Sequence, residues 1–283
     1  MVSAENHHRL AIPTLVDRPI GLEHAVWVER PLVEQGESIL APLAWEELMC
    51  RQVGQGHAPV VHIWRHTDGI AIGLRDRRLT YATQAMEQFR QKGTSVCVRP
   101  SGGAAVPLHP GIVNLSIILP NPKRDISIHR DFRFMADWIS RAVDPWNNQS
   151  YVGEIEGAFC PGDYDVSIAG RKFCGIAQRR QAKAYIITAF IIVEGSGDEL
   201  SAGIRSFYDQ AVGEQDKGYP VVQQGTMGSL AELAQVPDVA SYTKQLQYIL
   251  SQGQSIQKID EQELFTKEEI QQMEAYLIER YDN

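Results

Sequence analysis

Residues 185–193 read YIITAFIIV, nine residues with Thr188 as the single polar side chain. Such a run cannot lie at a wetted surface. It is also about half the roughly 18 apolar residues that a membrane-spanning helix needs, and no other segment reaches that length. Its length and its β-branched content predict a central strand covered on both faces. The chain must therefore supply a sheet and covering layers on either side of it.

The remaining hydrophobic pattern supplies both. Residues 59–64 (PVVHIW) and 69–74 (GIAIGL) read as two strands around a turn at Thr67-Asp68-Gly69, and residues 94–99 as another strand. Residues 112–119 alternate: Val113, Leu115, Ile117 and Leu119 share one face, and Asn114 and Ser116 lie on the other with Ile112 and Ile118. Residues 163–168 and 171–178 read as a hairpin about Ala169-Gly170. Helical periodicity marks residues 42–52, then 82–89 ended by Gly93, then 135–143 stopped by Pro145. From residue 198 onward the pattern is helical throughout, and Thr266 and Glu269 have capping-box spacing for the last helix. Strands and helices come mixed first and helices last. That order predicts an α+β fold with a mixed, mostly antiparallel sheet flanked by helices and a helical C-terminal segment, not an alternating nucleotide-binding pattern. The 283 residues suit one large catalytic domain, or one such domain plus a small accessory unit. The expected division is a leader over 1–38, a catalytic domain over 39–250 and a helical extension over 251–283.

A net charge of −8 argues against non-specific nucleic-acid binding, which needs a basic surface. The N-terminus has no basic start followed by a long apolar run, so a cytoplasmic protein is expected, with Cys50, Cys97, Cys160 and Cys174 as thiols. There is no CxxC, HExxH, P-loop or GxSxG motif, and no metal is assigned.

Two stretches carry chemistry. In residues 99–106 (RPSGGAAV), Gly102 and Gly103 let backbone approach a ligand closely, with N–H groups free to meet a carbonyl or an anion; a plain turn fits the same residues. In residues 157–180, Cys160 precedes Pro161-Gly162 and so lies in a loop. A loop thiol becomes a useful nucleophile only beside a cation, and Lys172 is the candidate, since a partly desolvated lysine also trades protons. Cys50, Cys97 and Cys174 read as packing residues. Geometry sets a condition. The hairpin puts Lys172 opposite Ser167, and Cys160, seven residues further along, would lie about 23 Å away on a straight strand. The chain must fold back near Pro161-Gly162, which predicts a mobile loop that brings Cys160 to Lys172.

These stretches resemble the biotin/lipoate protein ligase superfamily. RPSGGAAV with a downstream GIVNLSI resembles its acyl-binding signature, and CPGDYDVSIAGRKFCGIAQRR its lysine-bearing segment. The cysteine, with the DYDxSI and GIxQRR pattern, is similar to the cysteine-dependent octanoyltransferases of Gram-positive bacteria. The resemblance covers roughly residues 40–250. It implies a class II synthetase-like fold, a thioester on Cys160 and Lys172 as the activating lysine. It places Arg99, Ser101, Gly102 and Gly103 in the acyl-pocket wall, with Ala104, Asn114 and Gly175 completing the acyl-binding set. Ala104 stands where many ligases have a third glycine, which weakens a nucleotide-binding role. No cofactor is implied. The implied donor is the octanoylated glycine cleavage system H protein and the implied acceptors are the lipoyl domains of 2-oxoacid dehydrogenase E2 subunits, with neither nucleic acid nor membrane as partner. The alternatives are a transferase fed by octanoyl-acyl carrier protein, an ATP-dependent lipoate ligase, and a non-enzymatic acyl carrier.

Other polar residues have plainer readings. Arg75, Arg77 and Arg78 fit a solvated turn or a docking patch, and Arg179 and Arg180 fit ion pairs or docking. His62 reads as a core histidine and His109 as a loop residue, while the stripe from Ile270 to Leu277 reads as core packing.

Overall fold

The computed structural model describes residues 19, 21–33, 37–122, 127–252 and 256–282. Most of the expected 1–38 leader, including His7 and His8, lies outside the described residues. The chain begins with β1 (Val26–Glu29), α1 (Ala41–Val53), β2 (Val60–Trp64), β3 (Gly69–Ile72), α2 (Ala82–Gln91), β4 (Ser95–Val98), β5 (Val106–Leu108) and β6 (Ile112–Pro120). Next come α3 (Ile128–Val143), β7 (Ser150–Val152), β8 (Val166–Ile168), β9 (Arg171–Arg180) and β10 (Ala184–Ile192). It ends in α4 (Gly197–Ala211), α5 (Leu230–Ala234), α6 (Val239–Ser251), β11 (Lys258–Ile259) and α7 (Lys267–Tyr281). Local signals account for the helix starts. Pro42 occupies the first turn of α1, Ser196 and Asp238 cap α4 and α6, and the capping box of Thr266 and Glu269 opens α7.

Eight strands form the large sheet in the order β11-β1-β2-β6-β10-β9-β8-β7, antiparallel except where β1 pairs with β2 and β11. The apolar run at 185–193 is β10, between β6 and β9 as its composition requires. A second sheet, β4-β3-β5, packs across one face of the first. The two strands anticipated at 59–64 and 69–74 thus belong to different sheets. The chain turns a corner between them, where His66 bridges to Val33, and hydrophobic alternation carries no information about which sheet a strand will join. No helix among the described residues is long and apolar enough to cross a membrane.

The alternation along β6 assigns its faces. Val113, Leu115, Ile117 and Leu119 pack with Phe134, Met135, Trp138 and Ile139 of α3 and with Tyr242, Leu246 and Ile249 of α6. On the opposite face Ile112, Phe190 and Ile192 meet the second sheet, α2 and α4, and Ile118 and Ile186 meet α1. Helix α7 lies along α1, and Met273 and Leu277 are buried, as the stripe there predicts.

The predicted hairpin is present in the predicted register. Ala169 (φ 51°) and Gly170 (φ 75°) make its two-residue turn, and Ser167 stands opposite Lys172. Pairing then slips by one residue between Val166 and Ser167. The segment at 226–228 grips the backbone beside the slip: Lys172 N–H donates to Thr226 O at 2.8 Å, and Gly228 N–H donates to Lys172 O at 3.0 Å. The Lys172 side chain is thereby fixed on the face that carries the second sheet.

Candidate active site

The chain leaves the sheet before Val166, and the connection from β7 folds back over Lys172. Cys160 takes a left-handed conformation (φ 48°), which a side chain rarely adopts without outside support. Lys172 provides it. Its Nζ donates to the carbonyls of Phe159 (2.9 Å) and Cys160 (2.5 Å) and pairs with Asp165 Oδ2 at 2.8 Å. Asp165 Oδ2 also accepts the Gly162 N–H at 3.0 Å, closing the Cys160-Pro161-Gly162 bend on itself. Lys172 and Asp165 are both buried, and burial pushes the Asp165 carboxyl up to about 6 against the opposing pull of the Lys172 charge. The fold-back that the spacing demanded is therefore already made in this structure.

The Cys160 sulfur faces away from that ammonium. Three oxygens take up the three Lys172 protons, and Sγ instead accepts the Ala104 N–H at 3.2 Å and Arg99 Nη2 at 3.3 Å. Arg99 follows β4, 61 residues earlier in the chain. Its Nη2 also donates to Ala104 O at 2.6 Å and its Nη1 to Ser101 Oγ at 3.2 Å, so it staples the 101–104 turn. Gly103 (φ 95°) is needed there, because a Cβ would stand 2.8 Å from the Cys160 sulfur and 2.4 Å from Arg99 Nη2. Behind the turn, Ala105 N–H donates to the Tyr208 hydroxyl at 3.2 Å, and that hydroxyl donates to Asp76 Oδ1 at 3.0 Å.

The sulfur opens on a pocket between the two sheets, with about 470 Å³ of empty space when the solvent at its mouth is included. Trp64, Val106, Leu108, Ile176 and Phe190 make its walls largely apolar, and β6 and β10 contribute to them through Asn114, Thr188 and Phe190. Of the residues assigned to the acyl-binding set, Arg99, Ser101, Asn114 and Gly175 line this pocket. Gly103 and Ala104 are instead placed at the sulfur, and Gly102 is exposed in the turn. Gly175 leaves room for the Phe190 ring, which an added Cβ would approach to 2.5 Å.

The other cysteines behave as packing residues. Burial pushes Cys50 and Cys97 up to about 12, and it also raises Cys174 well above the ordinary thiol value. The arginines resolve toward structure: Arg179 pairs with Glu47, Arg180 with Asp131, and Arg77 with Asp282, while Arg75 and Arg78 are exposed. His62 is buried with Nδ1 3.0 Å from Glu46 Oε1, and His109 is a loop residue whose Nδ1 accepts the Gly111 N–H. Asp165, Asp76 and Tyr208 escaped the sequence reading. Of these, only Asp165 had a signal, as the second aspartate of DYDVS beside the nucleophile loop.

Comparison with known proteins places this geometry in a family. The model of the lipoyl protein ligase A/B catalytic domain matches residues 38–250. The octanoyl-[GcvH]:protein N-octanoyltransferase of Anoxybacillus flavithermus is 39% identical over 193 residues, 67% of this chain and 70% of that protein. The enzyme of the same name from Lysinibacillus sphaericus is 33% identical over 75% of this chain and 78% of that protein. The lipoyl-[GcvH]:protein N-lipoyltransferase of Listeria monocytogenes is 34% identical over the same shares of each chain. Among solved structures, a lipoate-protein ligase A bound with ATP superposes with a TM-score of 0.66 at 18% identity, covering 92% of this chain and 96% of that one. A bipartite lipoate protein ligase from Thermoplasma acidophilum gives 0.64 at 18% identity, over 92% and 94%, so the fold is shared well beyond recognisable sequence. The chain belongs to the lipoyl protein ligase A/B catalytic-domain family.

Proposed function

We propose that this chain is a protein N-octanoyltransferase. It moves an octanoyl or lipoyl group from the lysine of the glycine cleavage H protein to the lysine of E2 lipoyl domains through a thioester on Cys160. Residues 39–250 are the catalytic unit, preceded by the 1–38 leader and followed by the helical extension over 251–283. A cytoplasmic setting keeps the thiol reduced. The observation that carries the reading is a loop cysteine whose sulfur lines an apolar pocket while a buried lysine holds the loop from behind. The names of the relatives above support the same donor and acyl group.

The chemistry follows from the residues. Cys160 Sγ attacks the carbonyl of the octanoyl-lysine amide. Backbone N–H groups of the 101–104 turn and the 160–163 loop meet the negative charge that develops on the carbonyl oxygen. Lys172 gives a proton to the departing amine and takes one back when the acceptor lysine attacks the thioester. An amide is exchanged for an amide, so the overall reaction is close to balanced without ATP. The apolar walls hold the acyl chain, at roughly 0.8 kcal/mol for each methylene they bury.

The test incubates the protein with octanoylated H protein and apo lipoyl domain in the absence of ATP. Movement of the acyl group to the lipoyl domain supports the reading. Transfer that requires free acid and ATP, or that proceeds only from octanoyl-acyl carrier protein, overturns it.

A further inference from the structure

Arg99 is a buried guanidinium, 7% exposed, and no carboxylate among the described residues stands within ion-pair distance of it. A guanidinium stays charged at any ordinary pH, and burying it without an anion is costly. Its partners are a hydroxyl, a carbonyl and the Cys160 sulfur, and its Nε has no partner among the described residues. Asp76 feels the Arg99 charge, but its two oxygens are taken by the Gly73 N–H and the Tyr208 hydroxyl. The other buried cation of the site is already matched: Lys172 has Asp165. Among the described residues, the one ionisable atom in hydrogen-bond contact with Arg99 is Sγ.

We propose that Cys160 rests as a thiolate with Arg99 as its counter-ion, making Arg99 a catalytic residue of the acyl transfer. This deepens the reading of Cys160 as nucleophile and rests on it. The charged and titratable groups facing the sulfur or its loop are Arg99 from the end of β4, Lys172 from β9, Asp165 ahead of β8, and Asp76 and Tyr208 behind the 101–104 turn. Lys172 spends its protons on the loop carbonyls and on Asp165, so it holds the loop rather than the sulfur. The thiol proton passes to solvent when the pair forms. In the first half-reaction the Sγ–carbon bond forms, the amide carbon–nitrogen bond breaks, and the nitrogen takes one proton from Lys172. Arg99 is then left without its anion. In the second, the acceptor nitrogen bonds to the carbonyl carbon and gives one proton back to Lys172, and the carbon–sulfur bond breaks to return the thiolate to Arg99. The guanidinium and the Ala104 N–H thus stabilise attacking and leaving sulfur alike, and regaining the ion pair favours thioester breakdown.

The test is the ultraviolet thiolate absorbance of the full chain between about pH 5 and about pH 9, with Cys160→Ser as the blank, alongside iodoacetamide alkylation. Wild type is expected to show one thiolate at about pH 7. Arg99→Gln is expected to lose the signal and to be alkylated about tenfold more slowly, since an ordinary thiol is only a few per cent ionised there. Arg99→Lys, which keeps the charge without the fork, is expected to titrate at higher pH than wild type. Should Arg99→Gln fail to fold, as judged by circular dichroism, the Lys variant decides. A titration unchanged by either Arg99 substitution overturns the proposal. The titration needs no acyl donor, so absence of octanoyl transfer would count against the function and leave this result standing.

Discussion

Along β6, Val113, Leu115 and Ile117 face α3 and α6, whereas Asn114 and Ser116 on the opposite face point toward the second sheet. The same division runs through β10 and β9. Ile187, Ala189 and Ile191 join the closed apolar core, while Thr188, Phe190 and Gly175 belong to the pocket face. On the closed face the contacts are side chain to side chain, with Trp138 and Tyr242 sending their polar atoms to the backbone carbonyls of Leu246 and Ile139. On the open face, small and hydroxylated residues leave room that the strands themselves do not fill. One face is built for stability and the other keeps unfilled space for a ligand, and substitutions on each should separate these roles.

The largest effect is expected at the sulfur. Cys160→Ser should reduce octanoyl transfer to background while circular dichroism and the denaturation midpoint stay close to wild type. A turnover rate near wild type would remove the thioester from the mechanism. Lys172→Met should follow, with transfer lowered about a hundredfold or more through loss of proton transfer and of the loop support, measured as single-turnover rates. An unchanged rate would leave Lys172 with a packing role. Gly175→Ala narrows the pocket, because its Cβ meets Phe190 and Lys172 Cε. It should raise KM for the octanoylated donor several-fold and penalise a shorter hexanoyl donor less. Equal effects on both chain lengths would separate Phe190 from the acyl slot. Leu115→Ala, on the closed face, should cost about 2–5 kcal/mol in urea unfolding and leave kcat of the folded fraction unchanged. A loss of kcat there would mean that the two faces are coupled.

The smallest effect expected is a slope in stability with pH. Burial raises the Asp165 carboxyl from 3.8 in the free side chain to about 6 in the fold. The folded protein thus binds that proton more tightly than the unfolded chain does. Its contribution to stability is largest at low pH and is lost as pH rises from about 4 to about 6. Asp165→Asn should flatten this slope when unfolding free energies of the two proteins are compared across that window. A difference that grows in the opposite direction would contradict the burial argument.

The open face was the harder one to foresee. Period-two alternation named the inward residues of β6, and the Ala169-Gly170 turn set the register that places Lys172 opposite Ser167, because both signals are local. The apolar run at 185–193 announced a strand covered on both faces for the same reason. The partner of the sulfur was not legible. Arg99 reaches Cys160 across 61 residues through the packing of a loop from one sheet on a loop from the other, and no spacing rule spans that distance. The resemblance gave Arg99 to the pocket wall, and its contact with Sγ emerges only when the two sheets are stacked. Asp165 was hidden differently. Its place as the second aspartate of DYDVS is a local signal, but that signal does not say that this carboxylate ends up buried against an ammonium while its neighbour Asp163 stays exposed.

Residence of an acyl group on Cys160 is the central step of the transfer. Mass spectrometry of the wild-type chain mixed with octanoylated H protein alone, without ATP or acceptor, tests this directly. One octanoyl group bound to the peptide containing Cys160, lost on addition of apo lipoyl domain and never formed by Cys160→Ser, is the predicted result. Acyl transfer to the lipoyl domain with no adduct on Cys160 at any stage, and with Cys160→Ser equally active, would contradict it.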